Sequence, residues 1–169
     1  MLRVNLGQLG REASVAVDGR LPNDEELWKD VGFSWVGDVE VRLRASYAGT
    51  GEVVLRGEAD GTLSQECRRC LMQVETRFKK HLTMVFVTDT SGQDDDGGLY
   101  AFEPEGSELD VSHAVREELI LAVNPYVVCD PECVGLCPSC GVNLNEGACD
   151  CSVEEVDPRW AALRDLKSE

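Results

Sequence analysis

Eight cysteines stand in four close pairs: Cys67 and Cys70, Cys129 and Cys133, Cys137 and Cys140, Cys149 and Cys151. Structural zinc sites are closed four-ligand cages, often built from knuckles of two cysteines two to four residues apart, because a tight turn aims both thiolates at one point. Three pairs have that spacing, and Cys149-Asp150-Cys151 is tighter. The expected cofactor is Zn²⁺, two ions held by all eight cysteines. A disulfide framework belongs instead to short secreted chains. This chain opens Met1-Leu2-Arg3-Val4-Asn5-Leu6-Gly7 without a basic segment and a signal-length apolar run, and its 169 residues bury a core without covalent staples. No stretch approaches the roughly 20 apolar residues of a membrane span. The expectation is a cytoplasmic protein with reduced thiols and no membrane partner.

Four pairs combine into two cages in three ways. Cys137-Pro138-Ser139-Cys140-Gly141 reads as a knuckle whose proline fixes φ and whose glycine lets backbone amides approach the sulfurs. Asn143-Leu144-Asn145-Glu146-Gly147 reads as a small turn leading to Cys149 and Cys151, the length of a compact local loop. That division puts Cys67, Cys70, Cys129 and Cys133 in site 1 and Cys137, Cys140, Cys149 and Cys151 in site 2. Sequential pairing is the alternative, with Cys129, Cys133, Cys137 and Cys140 in one cage and Cys67, Cys70, Cys149 and Cys151 in the other.

No catalytic constellation competes. His81 and His113 are the only histidines, and neither stands beside a cysteine or serine in a nucleophile setting. There is no glycine-rich phosphate loop with its lysine. Full cages also oppose catalysis, since catalytic zinc keeps a position open for water. No small-molecule substrate is expected.

Net charge is −16, from 32 acidic and 16 basic side chains. Eight thiolates would add −8 and two Zn²⁺ return +4, taking −16 to −20. Nucleic-acid affinity draws on cations that displace counterions from phosphates, so any RNA contact must be local. The candidate is Arg68, Arg69, Arg77, Lys79 and Lys80, although strand-borne cations also serve as solvated edge residues. An acidic body suits a basic protein partner.

These residues need elements to position them. Ser14 to Val17 reads as a strand, and Pro22-Asn23-Asp24 could cap a short helix through Glu25, Glu26, Leu27 and Trp28. Val39, Val41, Leu43 and Ala45 alternate with polar residues, the period of a half-buried strand. Gly49-Thr50-Gly51 supplies a turn, and residues 53–59 and 62–67 read as two strands joined by a tight hairpin at Asp60-Gly61. Alternation resumes from Met72 to Phe78 and continues through 82–87. Residues 88–108 hold seven acids and no base, as in a solvated, mobile loop that Tyr100 and Phe102 pin at its far end. Asp110 can cap a helix over 110–123 with Val111, Ala114, Val115, Leu119 and Ala122 on one stripe, and Asn124-Pro125 stops it. Asp157-Pro158 signals a last short helix with Trp160, Leu163 and Leu166 facing inward.

The expected fold is α+β: an antiparallel, barrel-like β-sheet with one main helix and a C-terminal cysteine-rich zinc-binding segment. Residues 1–123 would form the β-rich part and 124–169 the cysteine-rich part, packed together as one unit.

Cys67-Arg68-Arg69-Cys70-Leu71, the helical Val115-Arg116-Glu117-Glu118-Leu119, the run from Cys129 through Cys133-Val134-Gly135-Leu136-Cys137 to Asn145, and Asp157-Pro158-Arg159 together resemble the YceD family. The resemblance is close over 108–166 and loose over 39–166. It implies a part in accumulation of large-subunit ribosomal RNA in bacteria and plastids, without defining a molecular activity. Family members without the second knuckle keep the equivalents of Cys67, Cys70 and the 129/133 region, which favours those four as one site. The family's setting also implies a small basic large-subunit ribosomal protein as a partner. The functional expectation is therefore a zinc-stabilised, non-enzymatic ribosome biogenesis factor that binds this protein, rRNA, or both. The runner-up is a redox-switched zinc chaperone that releases metal when its thiols oxidise.

Overall fold

The computed structural model describes residues 1–24, 26–49, 51–88, 99–103 and 106–151. Its elements are β1 (Arg3–Asn5), α1 (Leu6–Leu9), β2 (Val15–Leu21), β3 (Ser34–Trp35), β4 (Val39–Ala48), β5 (Glu52–Glu66), β6 (Gln73–Val87), β7 (Leu99–Ala101), β8 (Glu108–Asp110) and α2 (Ser112–Ala122). The main sheet runs β2-β4-β5-β6-β7, with β3 paired to β5 beyond the end of β4. Alternation sets its two faces. Val39, Val41, Leu43 and Ala45 of β4 are buried while Glu40, Arg42 and Arg44 are exposed.

The expected hairpin at Asp60-Gly61 is absent, and β5 runs unbroken through it. A two-residue hairpin of that type needs positive φ at both central positions, and neither residue has it. The two inward glycines of β5 make room instead. A Cβ on Gly57 would meet the Arg42 carbonyl oxygen at 2.0 Å, and one on Gly61 would meet the Trp35 ring at 2.9 Å. β5 and β6 therefore form one long antiparallel ribbon, paired from Val53↔Phe86 to Glu66↔Gln73. Its far tip is the turn from Cys67 to Met72.

The sheet is open, which corrects the expected barrel. Its edges are β2 and β7, which do not pair with each other among the described residues. β7 is also parallel to β6, so the sheet is not wholly antiparallel. The inner face is covered by α2, whose Ala114, Val115 and Leu119 join Val41, Leu55, Leu82 and Met84 in one core. A helix that buries a sheet's apolar face removes the need for closure. The N-cap of α2 is Val111, which makes no side-chain cap bond, and not the expected Asp110. Asp110, one residue earlier, accepts from the Ser112 amide at 2.9 Å, and the helix ends before Asn124-Pro125 as expected. The N-terminal strand β1 pairs with β8, and the Val111 amide donates to the Leu2 carbonyl at 2.9 Å.

The expected helix near Trp28 is a single turn among the described residues, closed by Trp28 N–H to the Asp24 carbonyl at 3.1 Å. Tyr100 stacks on Phe86 with centroids 5.2 Å apart, and Phe102 is buried, so both anchor the far end of the acidic segment. Residues 89–98 and 104–105, the acidic heart of the expected loop and part of its far end, and the expected helix after Asp157 lie outside the described residues. No helix among the described residues is long and apolar enough to cross a membrane.

Candidate metal centres

The ribbon tip is the first knuckle. Cys67 N–H donates to the Met72 carbonyl at 2.8 Å and Leu71 N–H to the Cys67 carbonyl at 2.9 Å. Cys137 to Val142 repeats this pattern, with Cys137 N–H to the Val142 carbonyl at 2.8 Å and Gly141 N–H to the Cys137 carbonyl at 2.9 Å. The fifth position of each turn needs the left-handed backbone: Leu71 has φ +61° and Gly141 has φ +76°. The same turn thus closes both knuckles, once with a glycine and once with a strained leucine.

Cys67, Cys70, Cys129 and Cys133 place their sulfurs within 4.8 Å of one another, and Cys137, Cys140, Cys149 and Cys151 do the same. In the first group Cys67 Sγ lies 3.9 Å from Cys133 Sγ, and Cys70 Sγ lies 3.5 Å from Cys129 Sγ. None of the eight is in a disulfide. Four sulfurs about 2.3 Å from a tetrahedral zinc are about 3.8 Å apart, so the donor set and its spacing fit that ion. The first group is largely buried, with only Cys129 exposed, whereas Cys140 and Cys151 of the second are exposed.

Distant chain is brought to the ribbon tip by backbone and by Arg69. Arg68 N–H donates to the Val127 carbonyl at 2.9 Å, and Leu136 N–H to the Arg69 carbonyl at 3.0 Å. The Arg69 guanidinium donates to the carbonyls of Pro131 at 3.0 Å and Cys133 at 2.8 Å. Gly135, at φ +88°, lies so close that a Cβ there would stand 2.9 Å from the Arg69 carbonyl oxygen. Asp130 shapes the second ligand turn by accepting from Glu132 N–H at 2.8 Å.

Asn145, in the segment between Cys140 and Cys149, reaches the first group, and its role was not apparent from the sequence. Its side-chain amide donates to Cys133 Sγ at 3.3 Å while its oxygen accepts from Val134 N–H at 2.8 Å. The signal was present as two asparagines between cysteine pairs, residues that read equally well as turn formers.

Charge on the sulfurs is unevenly held without a cation. Burial opposes ionisation of Cys67, but the amides of Cys70, Cys129 and Arg69 outweigh it and bring its pKa down to about 6. The amides of Cys140 and Ser139 bring Cys137 to about 6 as well. Neighbouring thiols at Cys133 and Cys70 push Cys129 up to about 12, and Cys140 does the same to Cys151. Each group thus stabilises one thiolate readily and resists the fourth, a resistance that a divalent cation removes.

The five basic residues do not form one patch. Arg69 is tied into the first group, and Arg68 lies over the Tyr126 ring, 5.7 Å from its centroid. Arg77 and Lys79 stand on the outer face of β6, ion-paired to Asp60 at 3.1 Å and Glu58 at 2.8 Å. Lys80 belongs to the opposite face, between Phe78 and Leu82 in the alternation. His81 and His113 lie outside both sulfur groups.

Fold and site together define a sheet-dominated α+β protein whose long ribbon ends in one of two four-cysteine groups able to hold metal. The family described as large ribosomal RNA subunit accumulation protein YceD matches residues 55–167, more than half of the chain, and the chain belongs to that family. An uncharacterized protein of Mycobacterium tuberculosis is 33% identical over 134 residues, 76% of this chain and 61% of that protein. The large ribosomal RNA subunit accumulation protein YCED homolog 1, chloroplastic, of Arabidopsis thaliana is 38% identical over 68 residues. That match takes in 40% of this chain and 21% of the plant protein. The Zea mays protein of the same name is 38% identical over 56 residues, 19% of its length. The chain therefore spans less than two thirds of each of these relatives. No solved structure matches it significantly.

Proposed function

We propose that the protein is a non-enzymatic factor in the accumulation of large-subunit ribosomal RNA, held in its working shape by two structural zinc ions. The observation that carries this reading is the family match over 55–167 to a chain whose eight cysteine sulfurs fall into two groups of four. Cys67, Cys70, Cys129 and Cys133 would hold one ion, and Cys137, Cys140, Cys149 and Cys151 the other. Four thiolates leave no position open for water, so zinc here clasps chain segments. The first clasp joins residues 59 to 66 positions apart in sequence, and such long closures gain the most from a crosslink. It would make 1–123 and 124–169 work as one unit in the cytoplasm.

Partners would be a basic large-subunit ribosomal protein, rRNA, or both. The net charge of −16 favours fast association with the former and confines RNA to local contacts such as exposed Arg68. Metal analysis of the purified protein should give two zinc ions per chain. Depleting the protein should lower large-subunit relative to small-subunit rRNA. An unchanged ratio would remove the ribosomal reading, and a metal content below two would remove the two-clasp one.

Exposure of Cys140 and Cys151, beside a readily ionised Cys137, favours one further reading, the redox-switched chaperone. It requires that mild peroxide release zinc from the second group and expose apolar surface. Retention of both ions under peroxide excludes it.

A further inference from the structure

The register of the sheet stacks its outward side chains in rows that cross the strands. One row reads Arg20, Glu40, Asp60, Lys79, and the next Asp18, Arg42, Glu58, His81. Opposite charges alternate in the second row, whereas in the first Glu40 and Asp60 face each other but each is paired to arginine. Ion pairs knit both rows: Arg20–Glu40 at 3.5 Å, Arg42–Glu40 at 2.9 Å, Arg77–Asp60 at 3.1 Å, Arg42–Glu58 at 3.4 Å and Lys79–Glu58 at 2.8 Å. The third row reads Ala16, Arg44, Arg56, Thr83. Arg44 and Arg56 are direct cross-strand partners, both exposed, with Cβ atoms about 5 Å apart.

Like charges in that position repel and destabilise the sheet. Neither arginine forms an ion pair among the described residues, and Arg44 donates only to the Ser14 hydroxyl, at 3.0 Å. The chain has twice as many acids as bases and uses them to neutralise the two adjacent rows. Beyond the pair lie Ser46, Val54 and Val85, which bring no charge. Among the described residues this cation pair is uncompensated while its neighbours are compensated, which leaves it able to take a negative charge from a bound partner.

We propose that Arg44 and Arg56 form a phosphate-binding subsite on the outer face of the sheet, and that its ligand is a phosphodiester of RNA. The proposal rests on the ribosomal reading above and names a contact that it leaves open. Guanidinium forks match phosphate oxygens bidentately, and the hydroxyls of Ser14, Ser46 and Thr83 around them are donors of the kind that hold sugar-phosphate backbones. Small neighbours at Ala16 and Ser46 leave the approach clear. A peptide carboxylate is the competing ligand chemistry, but protein interfaces are centred on apolar anchors. None of the exposed large apolar side chains lies on this face. Two such contacts position RNA against an acidic body, and its remaining affinity comes from elsewhere.

The test uses the full-length protein and a labelled fragment of large-subunit rRNA, titrated at several salt concentrations. Replacing both residues, Arg44→Gln with Arg56→Gln, should weaken binding and make the slope of log K against log salt shallower by about 1.4 to 1.8, for two lost phosphate contacts. The single change Arg56→Glu should separate stability from binding, raising the melting temperature by relieving repulsion while RNA affinity falls. An unchanged slope, or an affinity for poly-glutamate that equals that for RNA and falls with the same variants, overturns the proposal. In a strain depleted of the protein, wild type should restore large-subunit rRNA and Arg56→Glu should not. Equal rescue by both overturns the subsite alone, and depletion without any change in rRNA overturns the reading beneath it.

Discussion

Leu71 is 56% exposed and sits at φ +61°, a conformation that costs a non-glycine residue about 1 to 2 kcal/mol, while Gly141 fills the same place in the second knuckle without strain. Asparagine tolerates that backbone, so Leu71→Asn should raise stability by up to about 1 kcal/mol in denaturant unfolding. Gly141→Ala should cost about that much and speed loss of metal from the second group. A large loss from Leu71→Asn would mean that the leucine side chain carries packing its exposure does not show. The ligands themselves separate the two groups. Cys140→Ser should remove one of two zinc ions and leave the sheet's circular dichroism intact, because its group is local. Cys70→Ser should remove the other and loosen the whole segment from Val127 to Leu136, whose contacts converge on Arg68 and Arg69. Loss of both ions from Cys140→Ser would contradict two separate sites.

At the scale of elements, what the sequence made legible was whatever is local. Alternation located β4, and the last residue before Pro125 located the end of α2. The knuckles were equally visible, since two cysteines and the turn between them lie within six residues. Asp60-Gly61 misled because the same dipeptide suits a hairpin or an inward gap, and the ring that needs the gap, Trp35, lies 26 residues away in sequence. Closure of a sheet is likewise a property of its edges, and no stretch of β2 or β7 records whether they meet. Which cysteine pairs join was open for the same reason. Gly61→Val should therefore displace Trp35 and destabilise the fold by about 1 to 3 kcal/mol, as overpacking does. A true turn at that position would tolerate the change. The start of α2 offers a pH test. Burial would raise the Asp110 carboxyl, but the Ser112 amide and hydroxyl and Arg3 outweigh it and hold it below its ordinary 3.8. A lowered folded-state pKa gives stability that is present above pH 3.8 and disappears as pH falls through the folded value. Asp110→Ala should lower stability at neutral pH and have little effect in strong acid, as measured by unfolding at both.

The whole molecule has two kinds of cohesion. One apolar core runs from Leu2 through the sheet to Leu119 and needs no cation. The smaller cluster of Cys67, Cys70 and Cys133 with Val74, Val128 and Leu136 is built around sulfur and has few apolar atoms to bury. An area-scaled hydrophobic effect holds the first and gives the second little. Without a cation its thiols resist full ionisation, as the raised Cys70 and Cys129 show, so nothing replaces the bonds a metal would make. Metal removal should thus split the molecule's behaviour along this line. After a strong chelator, amides that close the clasp, those of Cys67, Arg68 and Leu136, should lose hydrogen-exchange protection by about the factor that the bound metal contributes. Amides of β4 and the central part of β5 should keep theirs, since their partners lie wholly within the large core. Uniform loss of protection would show that the clasp and the core fold as a single cooperative unit. Unchanged protection at Arg68 would show that the backbone and Arg69 hydrogen bonds hold the ribbon tip without metal.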